Sequence, residues 1–271
     1  AGLLAGGPLL LIGVTGTLDR LAPYVGEPVV RGIQVGVALV LLRTGVTTGL
    51  GSPRLAALSV AVALVAVALG YRNTAALAVL AMGGVIAAGA AGTVTPRLPT
   101  PVLLDPSTLT VSRNAVGATL GQLAMTVGNA AVATALLVDE YFGADTSPDD
   151  LSTSMGVMNL LAVPLGAMPM CHGSGGVAGK YAFGARTATA NVVLGGFYAL
   201  LAVVAVDLVA AFPMAVLGVV LVLVAVELGR AGADTDDPLL TGGIGVLALL
   251  TNVGIAFVAG LVGYHALARL R

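Results

Sequence analysis

Apolar runs alternate with short polar connections along the whole chain. They fall near residues 2–18, 29–43, 54–70, 74–92, 114–138, 152–166, 174–185, 188–211, 213–229, 238–253 and 255–268. A helix needs about 20 apolar residues to cross the hydrocarbon of a bilayer. The pattern therefore predicts a bundle of membrane helices. Several runs are shorter than a span, and such segments mark broken helices at binding sites in transporters. The longest polar connections are 93–113, with Pro96, Pro99, Pro101 and Pro106, and 139–151.

Two stretches read as a repeat. The Gly-Gly run at 1–18, followed by the Pro28-led run at 29–43, mirrors the Gly-Gly run at 188–211 followed by the Pro213-led run at 213–229. Proline in the first turn is a normal helix start. Three further segments, over 114–185, precede the second Gly-Gly run. The first has none before it, and the chain opens on Ala1 rather than Met. The expectation is that the front of a first repeat is missing from a unit of about seven segments. The organisation expected is 1–92 as the remainder of that repeat, mostly gate segments. A linker at 93–113 follows, then core segments of the second repeat at 114–211 and gate segments at 212–271.

Composition supports the membrane reading. The 271 residues are 58% hydrophobic and 9% charged, with a mean hydropathy of +1.02. A soluble domain carries about a quarter charged residues. These values exclude a disordered chain, a disulfide scaffold and nearly every soluble enzyme. A net charge of −1 offers no basic surface for a nucleic acid. Cys171 is the only cysteine, so no internal disulfide is available. The 38 glycines suit close helix packing in lipid. Lys180 is the only lysine and the longer loops are rich in Asp. That balance points to a prokaryotic, haloarchaeal cell membrane with a salt-rich cytoplasm. With both termini inside, eight cations fall inside and four outside (Arg43, Arg54, Arg97 and Arg113), in the sense of the positive-inside rule.

The chemistry concentrates at Pro169-Met170-Cys171-His172-Gly173-Ser174-Gly175-Gly176. Pro169 has no N–H to give a helix, so 167–172 is expected to be extended. A short helix should start near 174–177. Placed at mid-membrane, its N–H groups and positive dipole end would hold an anion, aided by the Ser174 hydroxyl. Irregular backbone at that depth is tolerated only where it lines a cavity or is buried in protein. A plain Gly-rich turn between two helices fits the glycine pattern equally well. Gln122, Thr126 and Asn129 follow at spacings of four and three, which on an α-helix share one face. Polar groups in an apolar helix face the bundle interior or a water-filled cavity. They read as substrate ligands or as interhelical hydrogen bonds, with Gln122 the stronger ligand candidate. His172, with an ordinary pKa near 6.5, is either a carrier of a coupled proton or a structural hydrogen-bonding residue.

The stretch 169–176, with Tyr181 and Phe183-Gly184-Ala185-Arg186-Thr187, resembles the signature of the molybdate transporter family, permeases for sulfate and molybdate related to the SulP anion transporters. Leu120-Gly121-Gln122-Leu123, Thr126 and Asn129 resemble its other motif, where Pro usually replaces Gly121. The likeness extends over essentially the whole chain. It implies an all-α polytopic membrane protein with an inverted-repeat transporter fold. That fold has core and gate domains, with a short extended stretch and half-helix near mid-membrane. It also implies alternating access, with Gln122, Thr126, Asn129, Met170, Cys171, His172, Gly173, Ser174, Gly175 and Gly176 as the substrate-binding set. The family's Pro-rich counterpart of 167–176, from the first repeat, is not in this chain.

The function expected is secondary transport of a tetrahedral oxyanion, molybdate or sulfate. No cofactor is expected; a proton or another cation is the species to consider for coupling. The expected partners are the anion and the lipid bilayer, no nucleic acid, with a homodimer as the assembly to consider. Two alternatives stay open: a non-transporting or degenerate membrane scaffold, and a nucleobase or organic-anion permease on the same architecture. The latter would want a carboxylate in the short helix, and 173–187 has none. An enzyme is disfavoured, because no metal-ligand cluster and no nucleophile–base pair stands out.

Overall fold

The computed structural model describes residues 2–270 apart from 22–23, 93–94, 99–102, 104, 106, 108–110 and 183. Every regular element among the described residues is helical. In chain order these are α1 (Gly2–Val14), α2 (Thr17–Leu21), α3 (Glu27–Gly49), α4 (Pro53–Ala68), α5 (Ala75–Ala91) and α6 (Arg113–Met125). A π-wound segment, Thr126–Val132, continues α6 into α7 (Ala133–Phe142). Then follow α8 (Pro148–Ala162), α9 (Ser174–Ala182), α10 (Thr189–Val204), α11 (Val206–Ala210), α12 (Met214–Ala233), α13 (Pro238–Leu250) and α14 (Val253–Leu270). Each of the eleven apolar runs is helical over most of its length.

Among the described residues, three stretches are long and apolar enough to cross a bilayer: Glu27–Gly49, Arg113–Phe142 and Met214–Ala233. Large apolar side chains cover the surface; Val85, Val192 and Leu250 are each 74% exposed. Soluble monomers do not carry apolar surface on this scale. The chain is a multi-pass membrane protein.

Local sequence sets the helix ends. Pro53, Pro148 and Pro238 stand in first turns, where the missing N–H costs nothing. Ser147 and Asp150 close a reciprocal capping box on α8. Gly143, at φ +60°, ends α7 in the left-handed region that favours glycine.

The chain divides into two compact units. The first comprises residues 1–37, 101–190 and 231–271. In it α1 packs antiparallel along α8. Gly2 lies against Val163 and Pro169, Gly6 against Asn159 and Leu160, and Gly13 against Thr153 and the Asp149 carbonyl. Gly156 of α8 meets the backbone of Leu10. This glycine seam brings the two backbones together. Leu9, Leu18, Ala130, Ala131 and Met155 form the core beneath it. The Asp149 carboxylate accepts N–H bonds from Leu18 (2.9 Å) and Asp19 (3.2 Å), tying α2 to α8. A second cluster, Val29, Ile33, Ile244, Ala248 and Ala256, joins the start of α3 to α13 and α14.

The second unit comprises residues 38–100 and 191–230. Ala63, Val79, Val216 and Val219 form its core, with Phe212 packed against them. A Cβ on Gly45 would fall 2.6 Å from the Gly218 carbonyl, so α3 and α12 touch backbone to backbone here. Glu227 accepts from Arg230 (2.8 Å) and Arg72 (3.3 Å). No described side chain of α10 is buried.

Candidate functional site

The candidate site lies in the first unit, where α8 gives way to α9. A 3₁₀ turn through Pro164 ends at Gly166, at φ +87°, a conformation cheap only for glycine. Residues 167–173 are then non-helical, and α9 opens at Ser174, as Pro169 and the glycines predict. The Gly173 carbonyl accepts from the N–H groups of Gly176 (2.9 Å) and Val177 (3.3 Å). The N–H groups of residues 174 and 175 thus precede the first intrahelical bond.

The non-helical backbone is fastened from α8 and α7. The Asn159 amide pairs with both polar groups of Met170: Oδ1 accepts from its N–H at 2.8 Å, and Nδ2 donates to its C=O at 3.0 Å. Two residues on, the His172 N–H donates to Met155 Sδ at 3.2 Å, and Thr134 Oγ1 donates to the His172 carbonyl at 3.2 Å. The His172 ring Nε2 lies 3.2 Å from Ser154 Oγ. Backbone polar groups buried among apolar helices need such partners.

Beyond this fastening the turn is open. Among the described residues, no atom from elsewhere in the chain lies within 4 Å of where a Cβ on Gly173, Gly175 or Gly176 would sit. The Cys171 side chain is exposed and lies within hydrogen-bonding reach of the Gln122 side chain on α6. One turn on, Thr126 is fully buried, and its hydroxyl has no hydrogen-bond partner among the described residues. No Asp or Glu occurs in 106–138 or in 151–206, so both elements meet at the turn without a negative charge of their own.

The structure thus brings Gln122 to Cys171 and gathers Met170, Cys171, His172, Gly173, Ser174, Gly175 and Gly176 at the head of α9. The shared-face argument for Asn129 assumed α-helical winding. The backbone from Thr126 to Val132 is π-wound, so a spacing of three no longer carries that argument. The Asn129 side chain lies outside the described residues. Asn159, Met155, Ser154 and Thr134 escaped the sequence reading. For Asn159 the signal was available: a strongly polar residue in the apolar second half of α8.

The far end of α9 is also held. The Tyr181 ring stacks on Tyr141 of α7 with centroids 4.2 Å apart. The Arg186 guanidinium lies 3.8 Å above the Tyr181 ring. It also donates to the Tyr181 carbonyl at 2.6 Å, a cation at the negative end of the helix dipole.

Comparison with known proteins gives a consistent picture. Residues 114–228 match the family model described as molybdate transporter of MFS superfamily. Over 223 residues the chain is 36% identical to Molybdate transporter 1 of Chlamydomonas reinhardtii, covering 76% of this chain and 41% of the relative. Molybdate transporter 2 of Arabidopsis thaliana is 36% identical over 124 residues, 44% of this chain and 27% of the relative. Molybdate transporter 1 of the same plant is 35% identical over 157 residues, 55% of this chain and 34% of the relative. The chain spans about two fifths or less of the length of these relatives. The matched model is described under the MFS superfamily, whereas the motif resemblance to the molybdate transporter family related it to the SulP anion transporters. Family and relatives are transporters rather than enzymes. Over these stretches the chain is similar to the molybdate transporter family.

Proposed function

We propose that this chain forms part of a secondary transporter carrying a tetrahedral oxyanion, molybdate or sulfate, by alternating access. One observation carries the reading: α9 opens at an uncrowded glycine turn, with no carboxylate on α9 itself or on α6 facing it. The N-terminal dipole end and N–H groups of α9 would bind the anion. Gln122 on α6 and the Ser174 hydroxyl would complete this half of the site. Holding the anion on amides rather than on a buried Lys or Arg keeps the affinity low enough for release. The same proposal places the turn near mid-membrane, in an inverted-repeat fold with core and gate domains. There a Pro-rich stretch of the first repeat completes the site. A nucleobase permease fits less well, since neither element has a carboxylate to pair with a ring. The Lys-poor, Asp-rich composition supports a prokaryotic source with a salt-rich cytoplasm.

The test is uptake of radiolabelled molybdate and sulfate into proteoliposomes holding the protein expressed from its complete gene, with calorimetric titration of each anion. Saturable uptake and binding of at least one is expected. Neither uptake nor saturable binding by folded protein overturns the proposal.

A further inference from the structure

We infer that Asn159 is the positioning residue of the oxyanion site: by pairing with both the N–H and the C=O of Met170, it sets where the head of α9 lies. The inference rests on the functional reading above and adds a residue to it. Asn159 is fully buried, and its two bonds to Met170 measure 2.8 and 3.0 Å. A single planar amide that both accepts from and donates to one residue fixes that residue's orientation as well as its distance. The amide is itself held. Gly6 of α1 backs it so closely that a Cβ there would lie 3.2 Å from Asn159 Cβ, and the glycine seam keeps α8 from sliding along α1. Gly173 is three residues past Met170, and its carbonyl starts the hydrogen bonds of α9. A shift at Met170 therefore moves the N–H groups offered to the anion. Asn159 need not touch the anion itself. The other contacts on this stretch are weaker constraints. A thioether accepts from the His172 N–H and a single hydroxyl donates to its carbonyl, so neither residue spans both sides of a peptide.

Asn159→Asp tests this with almost no change of shape. A protonated carboxyl both donates and accepts, and so reproduces the pairing with Met170. An ionised carboxylate only accepts and repels the Met170 carbonyl. Burial favours the protonated form, so lowering the pH should restore the native pairing. In proteoliposomes of the complete protein with micromolar molybdate, KM relative to the parent should rise about tenfold or more at about pH 8. It should return close to parental at about pH 5.5, with Vmax changing less than KM throughout.

Ser152→Ala is the control for stability alone. Ser152 is fully buried on the same helix and donates to the Leu9 carbonyl at 2.9 Å, away from the turn. It should lower the melting temperature and leave KM unchanged. The inference is overturned if neither Asn159→Asp at about pH 8 nor Asn159→Leu, which keeps the volume and removes both bonds at every pH, raises KM. It is equally overturned if Ser152→Ala raises KM as much as Asn159→Asp does. Absence of saturable uptake by the parent protein overturns the functional reading instead, so the two failures are distinguishable.

Discussion

Replacing Gly175 or Gly176 by alanine asks whether the space at the head of α9 belongs to a guest. Neither glycine has a positive φ. A Cβ at either position meets no described atom from elsewhere in the chain within 4 Å. The protein alone should tolerate the methyl groups. Alanine exceeds glycine in helix propensity by about 1 kcal/mol in a helix interior and by less in the first turn. The variants should therefore melt at the parental temperature or slightly above it. A bound oxyanion would lose room instead. Displacing it from one charge-assisted N–H bond costs about 1.5–3 kcal/mol. At 1.4 kcal/mol per factor of ten, that is about ten- to a hundredfold in Kd. The assays are calorimetric titration of molybdate and a thermal melt of the same detergent-solubilised preparation. Weakened binding with unchanged or raised stability is the expected pair of results. Parental affinity in both variants would refute the reasoning, because no anion could then lie against these amides.

Four other perturbations have definite outcomes. Gly156→Ala drives a methyl group into the backbone of Leu10, and overpacking of this kind costs about 1–3 kcal/mol; chemical denaturation should show it, in contrast to the two glycines of α9. Thr126→Val removes a buried hydroxyl that has no partner among the described residues, so the melting temperature should not fall, while molybdate affinity by calorimetric titration should. Tyr141→Ala removes the stack on Tyr181, worth about 0.5–1.5 kcal/mol beyond area burial, and should lower the melting temperature. Asp207, in α11 beyond the end of α10, is held below the usual carboxylate range, first by the Thr95 N–H and further by Arg97. Its contribution is present above the unfolded value of about 3.9 and is lost as pH falls through the lower folded value. Asp207→Asn should thus destabilise the protein at neutral pH and flatten the acid limb of a melting-temperature profile.

The helices were legible because membrane segments announce themselves by apolar length. Their limits were less so. The second run, expected over 29–43, becomes a helix over Glu27–Gly49, since Arg43, Thr44, Thr47 and Thr48 do not stop a helix. Thr44 and Thr47 return their hydroxyls to carbonyls one turn back. The run at 188–211 divides at Ala205 into α10 and α11. No periodicity betrays the π-wound segment, because the apolar pattern around Thr126 suits either winding. At the site, Pro169 and the glycines foretold the break and the helix start. What holds the break together was not legible. The bonds from Asn159, Met155 and Thr134 join positions 11 to 38 residues apart, and only the packing of α8 and α7 brings them there. The same holds for Asp207, which meets Thr95 across 112 residues.

The most direct measurement of the central claim is the position of a bound heavy oxyanion. Tungstate has the charge and shape of molybdate and scatters strongly, so its anomalous signal in a crystal of the complete protein locates it without ambiguity. The account predicts a peak at the head of α9, within hydrogen-bond distance of the N–H groups of residues 174 and 175 and of the Gln122 amide. A peak at another site, with those amides in contact only with protein or lipid, would contradict it.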